Sequence, residues 1–207
     1  VNKLSDFSSD YLPVMEHFYT IQGEGFHAGR PAYFIRLAGC DVGCTWCDVK
    51  ESWEVDTTQL MLIDDLIKTI EETNCMFVVI TGGEPTLYNL TALTDKLHDK
   101  NIEIAIETSG TNELIGSIDW YCFSPKKFKK PVDQAFDRAD ELKIIINHPS
   151  DFAWAQDLGN QTRKDCLRIL QPEWTKQERF LPEIIEFVKK YPSWRISLQT
   201  HKIMNIP

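Results

Sequence analysis

The chain has 207 residues, 43% hydrophobic and 26% charged, which suits one globular domain over 1–207 and excludes disordered and fibrous classes. No apolar run could span a bilayer, and the opening VNKLSDFSSDYLP lacks a leader's basic-then-apolar pattern, so a reducing cytoplasmic location is expected. A net charge of −9, with the short PKKFKK at 125–130 as the nearest approach to a basic cluster, argues against direct nucleic-acid binding.

After a polar N-terminal arm, the first predicted strand is AYFIRL (32–37). TTQLMLIDDLIKTIEETN (57–74) follows, with Leu60, Ile63, Ile67 and Ile70 at helical spacing and Thr57 or Thr58 as the cap. Then come the strand MFVVIT (76–81), a helix over 89–100, and the strands IEIAIE (102–107), DWYCF (119–123) and ELKIII (141–146). A helix over 151–158 and the strand CLRIL (166–170) precede a helix within 176–190, which Pro182 starts or kinks. The last strand is RISLQ (195–199). Segments 108–118 and 124–140 are too broken by Gly, Pro and Ser for helices. Near-continuous apolar strands between helices predict six or seven mostly parallel strands in a partial, open βα barrel, with a flat doubly wound sheet as the alternative.

Each predicted strand is followed by residues that can carry chemistry: GCDVGCTWC, GGEP, TSG, SPK, NHP, QP and THK in turn. In parallel βα architectures these positions share one rim, where sites are built.

The first of these loops holds Cys40, Cys44 and Cys47 as C-x3-C-x2-C. Four thiolates would saturate a structural zinc or a simple electron-transfer cluster. Three thiolates on a four-iron cube leave one iron open to an outside ligand. The alternatives are a zinc ion completed by a histidine, or unrelated cysteines. Cys75, Cys122 and Cys166 are scattered among apolar neighbours and read as small buried residues.

The cysteine spacing, with Trp46 just before the last thiol, resembles the signature of radical S-adenosylmethionine (SAM) enzymes. The resemblance implies a [4Fe-4S] cluster on Cys40, Cys44 and Cys47 whose open iron is chelated by SAM, with a 5′-deoxyadenosyl radical released on reduction. No side chain is then expected to act as the catalyst itself. TGGEP (81–85) is similar to the glycine-rich segment that meets the SAM amino group, although Gly82 and Gly83 alone would read as turn glycines. The resemblance further implies cofactor contacts from Trp46, Asp48 and Glu84. It places Ser124, Pro125 and Lys126 at the ribose and carboxylate, and Gln171 and Pro172 on the adenine side. Lys143 and Glu107, at strand ends, read first as salt-bridged scaffold.

Within that superfamily, IQGEG (21–25), FIRLAGC (34–40), CDVKESW (47–53), ETSGT (107–111), LQP (170–172) and QTHK (199–202) resemble the 7-carboxy-7-deazaguanine synthase family. The family implies ring contraction of 6-carboxy-5,6,7,8-tetrahydropterin with loss of ammonia, in deazapurine and queuosine biosynthesis. It also implies a small homodimer fed by a flavodoxin-like or other electron donor. Substrate contacts are implied for Ile21, Gln22, Gly23, Glu24, Arg36, Thr81, His201 and the terminal Pro207. Arg36, in an otherwise apolar strand, needs an anionic partner: the substrate carboxylate or an internal acid. Relatives often place a threonine after the Asp that follows the third cysteine, where its oxygen helps hold Mg2+. Val49 has no such oxygen, so the Mg2+ ligand is left open. A glycyl-radical-type activating enzyme shares the cysteine spacing, and a zinc-stabilised binding module is the alternative outside this chemistry.

Overall fold

A computed structural model of the chain describes residues 9–207. The first eight residues, most of the polar arm, lie outside the described residues. Among the described residues the strands form one sheet in the order β3-β1-β2-β4-β5-β6-β7-β8-β9. It opens with β1 (Tyr11–Ile21), β2 (Pro31–Leu37) and the edge strand β3 (Leu60–Leu62), both of which pair antiparallel to β1. Six further strands run parallel to β2: β4 (Phe77–Gly82), β5 (Glu103–Thr108), β6 (Trp120–Phe123), β7 (Glu141–Ile146), β8 (Leu167–Pro172) and β9 (Trp194–Ile196). The parallel strands β2 and β4 to β9 follow chain order with no switch point, and the two ends of the sheet do not pair, which is the order of the expected open barrel and not of a doubly wound sheet.

Helices α1 (Ile63–Glu72), α2 (Thr91–Asp99), α3 (Asp133–Arg138), α4 (Asp151–Gly159) and α5 (Gln177–Lys190) accompany the parallel strands, and α6 (Thr200–Met204) closes the chain. Strand side chains alternate between two faces. Ile35, Val78, Ile80, Ile104, Ile106, Leu142 and Ile144 join the large core shared with α1, α2 and α5. Ala32, Phe77, Val79 and Ala105, with Phe34 and Trp120, form a small apolar cluster on the inner face. The same period of two brings Arg36, Thr81 and Glu107 inward near the C-terminal strand ends, and Lys143 inward from the middle of β7. An apolar floor therefore lies beneath a polar mouth.

Several expectations need correction. The longest strand, β1, falls where a polar arm was expected. Pro13 and a register shift between Val14 and Glu16 break its alternation, which hides the period-two signal. Thr57 and Thr58 cap no α-helix. They sit in a 3-10 turn closed by Asp56, whose carboxylate accepts from Thr58 N at 2.9 Å while Gln59 returns a bond to Asp56 N. Leu60 then pairs with Pro13 as part of β3, and α1 starts only at Ile63. Inside 124–140 the six-residue α3 is too short to show a helical period. Pro182 lies within α5 rather than at its start. Of RISLQ only Arg195 and Ile196 pair with β8, together with Trp194 just before them; Ser197 to Gln199 bend inward, with Ser197 Oγ donating to Gln171 Oε1 at 2.7 Å.

Candidate active site

Two cavities meet at the C-terminal mouth. The first, of about 220 Å³, is lined by Cys40, Cys44, Cys47, Trp46, the Gly82–Gly83 backbone, Glu84, Ser124, Lys126, Gln171 and Pro172. The second, of about 300 Å³, is lined by Ile21, Gln22, Gly23, the aromatic pair Phe18 and Phe34, His201, Lys202 and Pro207. Glu24, Arg36, Asp48, Val49, Thr81, Glu107 and Gln199 line both. Thus nearly every residue singled out in the sequence faces one continuous space. Pro125 is the exception, facing a neighbouring cavity with Trp154.

The glycine segment after β4 allows the closest approach. Gly82 has φ of 131°, and a Cβ there would overlap the Leu37 backbone. A Cβ on Gly83 would overlap the Gly39 carbonyl. Gly83 N donates to Leu37 O at 2.9 Å and Glu84 N to Gly39 O at 2.8 Å, so the segment is stitched to the start of the cysteine loop. Glu84, expected to touch cofactor, spends its carboxylate inside the protein. It accepts from Thr86 N and Oγ1 at 3.1 and 2.7 Å, from Ser109 N at 2.9 Å, and from the Thr108 and Ser109 hydroxyls. It positions the GGEP and TSG segments against each other.

The wall between the cavities is ionic. Lys143 Nζ, almost fully buried, donates to Glu24 Oε2 at 2.7 Å and Glu107 Oε2 at 2.9 Å. Gln22 Nε2 donates to Glu107 Oε1 at 3.0 Å, and Gln199 Nε2 to Glu24 Oε1 at 2.8 Å. Burial opposes the charge on Lys143, but the Glu107 and Glu24 carboxylates outweigh it and push its pKa well above the ordinary value. Burial alone would raise Glu24; the Lys143 ammonium overrides this and holds the carboxyl down at about 2. Both groups are therefore ionised at neutral pH.

Arg36 has found an internal acid: its Nε donates to Glu16 Oε1 at 2.6 Å across the β1–β2 pair, while the side chain still lines both cavities. His201 lies on α6 rather than at a strand end, and Gly23 lets it pack close because any Cβ there would overlap the imidazole. Burial pushes the His201 pKa below its usual value. Thr200 N and Oγ1 both donate to Gly23 O at 2.9 Å, which docks α6 onto the IQGEG loop.

A family model described as the radical SAM superfamily matches residues 34–148. A 7-carboxy-7-deazaguanine synthase of Flavobacterium psychrophilum is 47% identical over 96% of this chain and 94% of its own length. The Escherichia coli K12 protein of that name is 36% identical over 94% of this chain and 98% of its own. The crystal structure of QueE from Escherichia coli matches with a TM-score of 0.83 at 33% identity, over 91% of this chain and 94% of that one. This chain belongs to the 7-carboxy-7-deazaguanine synthase family. That membership, within the radical SAM superfamily, replaces the zinc-module and activating-enzyme alternatives.

Radical SAM membership implies a [4Fe-4S] cluster and SAM, and the first cavity fits them. Its cysteines are free thiols on one loop, Cys47 N turning back to Cys44 O at 3.1 Å. Among the described residues no three His, Cys, Asp or Glu side chains gather tightly enough for one metal ion. Burial pushes the Cys44 thiol up, and the nearby Lys126 ammonium works against that rise. Lys126 Nζ donates to Ser124 Oγ at 2.9 Å and sits 5.6 Å from the centre of the Trp46 ring.

Sequence reasoning took only His201 from QTHK and missed its neighbours. Gln199 bridges Glu24 and Asp48, and Lys202 Nζ donates to Asp48 Oδ2 at 2.7 Å. It also missed the stacked Phe18–Phe34 pair, rings 5.6 Å apart, because β1 went unrecognised. The aromatic alternation of FYT against AYF was the available signal.

Proposed function

We propose that the chain is a 7-carboxy-7-deazaguanine synthase: it contracts 6-carboxy-5,6,7,8-tetrahydropterin to 7-carboxy-7-deazaguanine, releasing ammonia. The observation that carries this reading is the shared wall, since a cysteine-lined cavity adjoins a second cavity of about 300 Å³ lined by polar groups and by Phe18 and Phe34. Cys40, Cys44 and Cys47 hold the cluster, and the bare Gly82–Gly83 backbone, Ser124, Lys126, Gln171 and Pro172 hold SAM, with Trp46 and Asp48 beside them. When bound, these cofactors would supply one-electron radical chemistry beside the substrate cavity.

The chain's own residues bind and orient. Gln22, the IQGEG backbone, Glu24 and Thr81 offer hydrogen-bonding groups to the pterin edge, with Phe18 and Phe34 under its flat face. Arg36 and Lys202 are the cations within reach of a substrate carboxylate. Lys143 keeps Glu24 ionised and stands between it and Glu107, two carboxylates that alone would repel. His201, neutral at pH 7, can accept or donate one hydrogen bond. Pro207 lines the far end of the same cavity.

The residues around Val49 do not fit a divalent cation. Valine offers no oxygen, and the Asp48 carboxylate is engaged by Gln199 and Lys202. No step is therefore assigned to Mg2+. We further infer one radical SAM domain, supported by the single continuous sheet, and a homodimer in a reducing cytoplasm, in keeping with six free thiols. No described helix is long and apolar enough to cross a membrane. Anaerobic turnover with SAM, a reductant and the carboxylated pterin, followed by chromatography for the deazaguanine, tests the reading. SAM cleavage without that product would overturn the substrate assignment.

A further inference from the structure

The basic segment PKKFKK is the one motif singled out in the sequence that the site leaves mostly unused. Lys129 N donates to Lys126 O at 3.1 Å, so Lys126–Lys129 forms a tight turn with Lys127 and Phe128 at its tip. Phe128 is 56% exposed at the tip of the turn. Lys127 and Lys129 flank it, each about one-third exposed and each ion-paired, with Asp151 Oδ1 at 2.6 Å and Asp41 Oδ2 at 2.7 Å, and Lys130 is exposed with no partner among the described residues. An apolar centre with a cationic rim is the composition of a protein-docking patch. It stands out on a chain of net charge −9.

The turn also sits against the cysteine loop. Lys129 Nζ donates to the Asp41 carbonyl and, at 2.7 Å, to Asp41 Oδ2, one residue after Cys40. Lys126, at its base, lines the cysteine cavity. Beside Phe128 lies a cavity of about 260 Å³, lined also by Trp46 and Trp154, that offers space for an inserted side chain. Reductive SAM cleavage consumes one electron per event. No amino-acid side chain is a low-potential one-electron donor, so that electron comes from another molecule.

We propose that the Lys127–Lys130 turn is the docking surface for an acidic one-electron carrier protein, which delivers its electron to the adjoining cysteine cavity. The proposal rests on the radical SAM reading of that cavity. The carrier is oxidised by one electron, the cavity's cluster is reduced by one, and no bond forms between the proteins. The overall negative charge repels an acidic partner elsewhere, so attraction confined to this turn fixes orientation as well as affinity. A nucleic acid would call for a broader basic stripe than these few cations.

Flavodoxin, an acidic flavin carrier, is the probe. Its affinity for the anaerobic holoenzyme is measured by interferometry at low and high salt, for wild type, K130E, K127E/K130E and F128S. Turnover is measured in parallel with reduced flavodoxin and with dithionite. The expected result is binding that weakens with salt, an affinity loss of about ten-fold or more in K127E/K130E, and a smaller loss in K130E and F128S. Flavodoxin-driven turnover should fall in step while iron content and dithionite-driven turnover stay unchanged. Unaltered affinity in all variants overturns the proposal, as does equal loss with both reductants, which would make the turn part of the active-site scaffold. Failure to bind flavodoxin together with tight, variant-sensitive tRNA binding would also overturn it. If wild type assembles no cluster and cleaves no SAM with dithionite, the radical SAM reading fails instead, and the affinity comparison still decides the surface.

Discussion

Lys143 Nζ lies 2.7 Å from Glu24 Oε2, tying the middle of β7 to the loop after β1. The lysine is buried, so removing it leaves Glu24 and Glu107 facing each other without a counter-ion. Lys143→Met should destabilise the fold by roughly 3–5 kcal/mol, read as a lowered urea midpoint.

The same pair sets an acid limit. Glu24 has its carboxyl held down to about 2 from 4.5, so its stabilising contribution is complete above about 4.5 and is lost as pH falls toward 2. The contribution is of the order of 3 kcal/mol. Unfolding curves for wild type and Glu24→Gln should differ at pH 7 and converge near pH 2. A constant gap across that range would show that the carboxylate is not the group responsible.

Glu84 satisfies donors from Thr86, Thr108 and Ser109 in the interior. Glu84→Ala should cost about 3 kcal/mol through unsatisfied buried donors. SAM affinity should weaken with it, because the Gly82–Gly83 segment loses its brace. Glu84→Gln, which keeps the acceptor, should recover part of both, measured by denaturation and by equilibrium dialysis with labelled SAM.

Each of Cys40→Ala, Cys44→Ala and Cys47→Ala should fold yet lose the iron–sulfur chromophore and SAM cleavage. Cys75→Ala, Cys122→Ala and Cys166→Ala should keep both. Iron analysis and visible absorbance separate the two groups. Retention of a full cluster in any of the first three would remove that thiol from the ligand set.

Val49 predicts a weak response to Mg2+. Turnover in EDTA-treated wild type should change little on adding the ion, and Val49→Thr should gain sensitivity. A steep wild-type dependence, unaltered in Val49→Thr, would mean that other groups hold the cation.

Much of this protein was legible in its residues. The seven parallel strands show as apolar runs because both their faces are covered, and the chemistry-bearing segments after them mark the rim on which they converge. Cys40, Cys44 and Cys47 could be read as one unit because their spacing is local. The roles of Glu84 and Arg36 could not: one turns inward to internal hydroxyls and amides, the other pairs with Glu16 on a strand whose period is broken by Pro13 and a bulge. Nor could Lys143 be joined to Glu24, 119 residues away, or Lys202 to Asp48, since long-range partners depend on strand order and register. The sequence by itself determined the strand–loop alternation and the cysteine spacing, which depend on near neighbours and on the period of two. Only the tertiary structure decided which charges meet, because pairing in a buried wall is set by how seven parallel strands curve around one mouth.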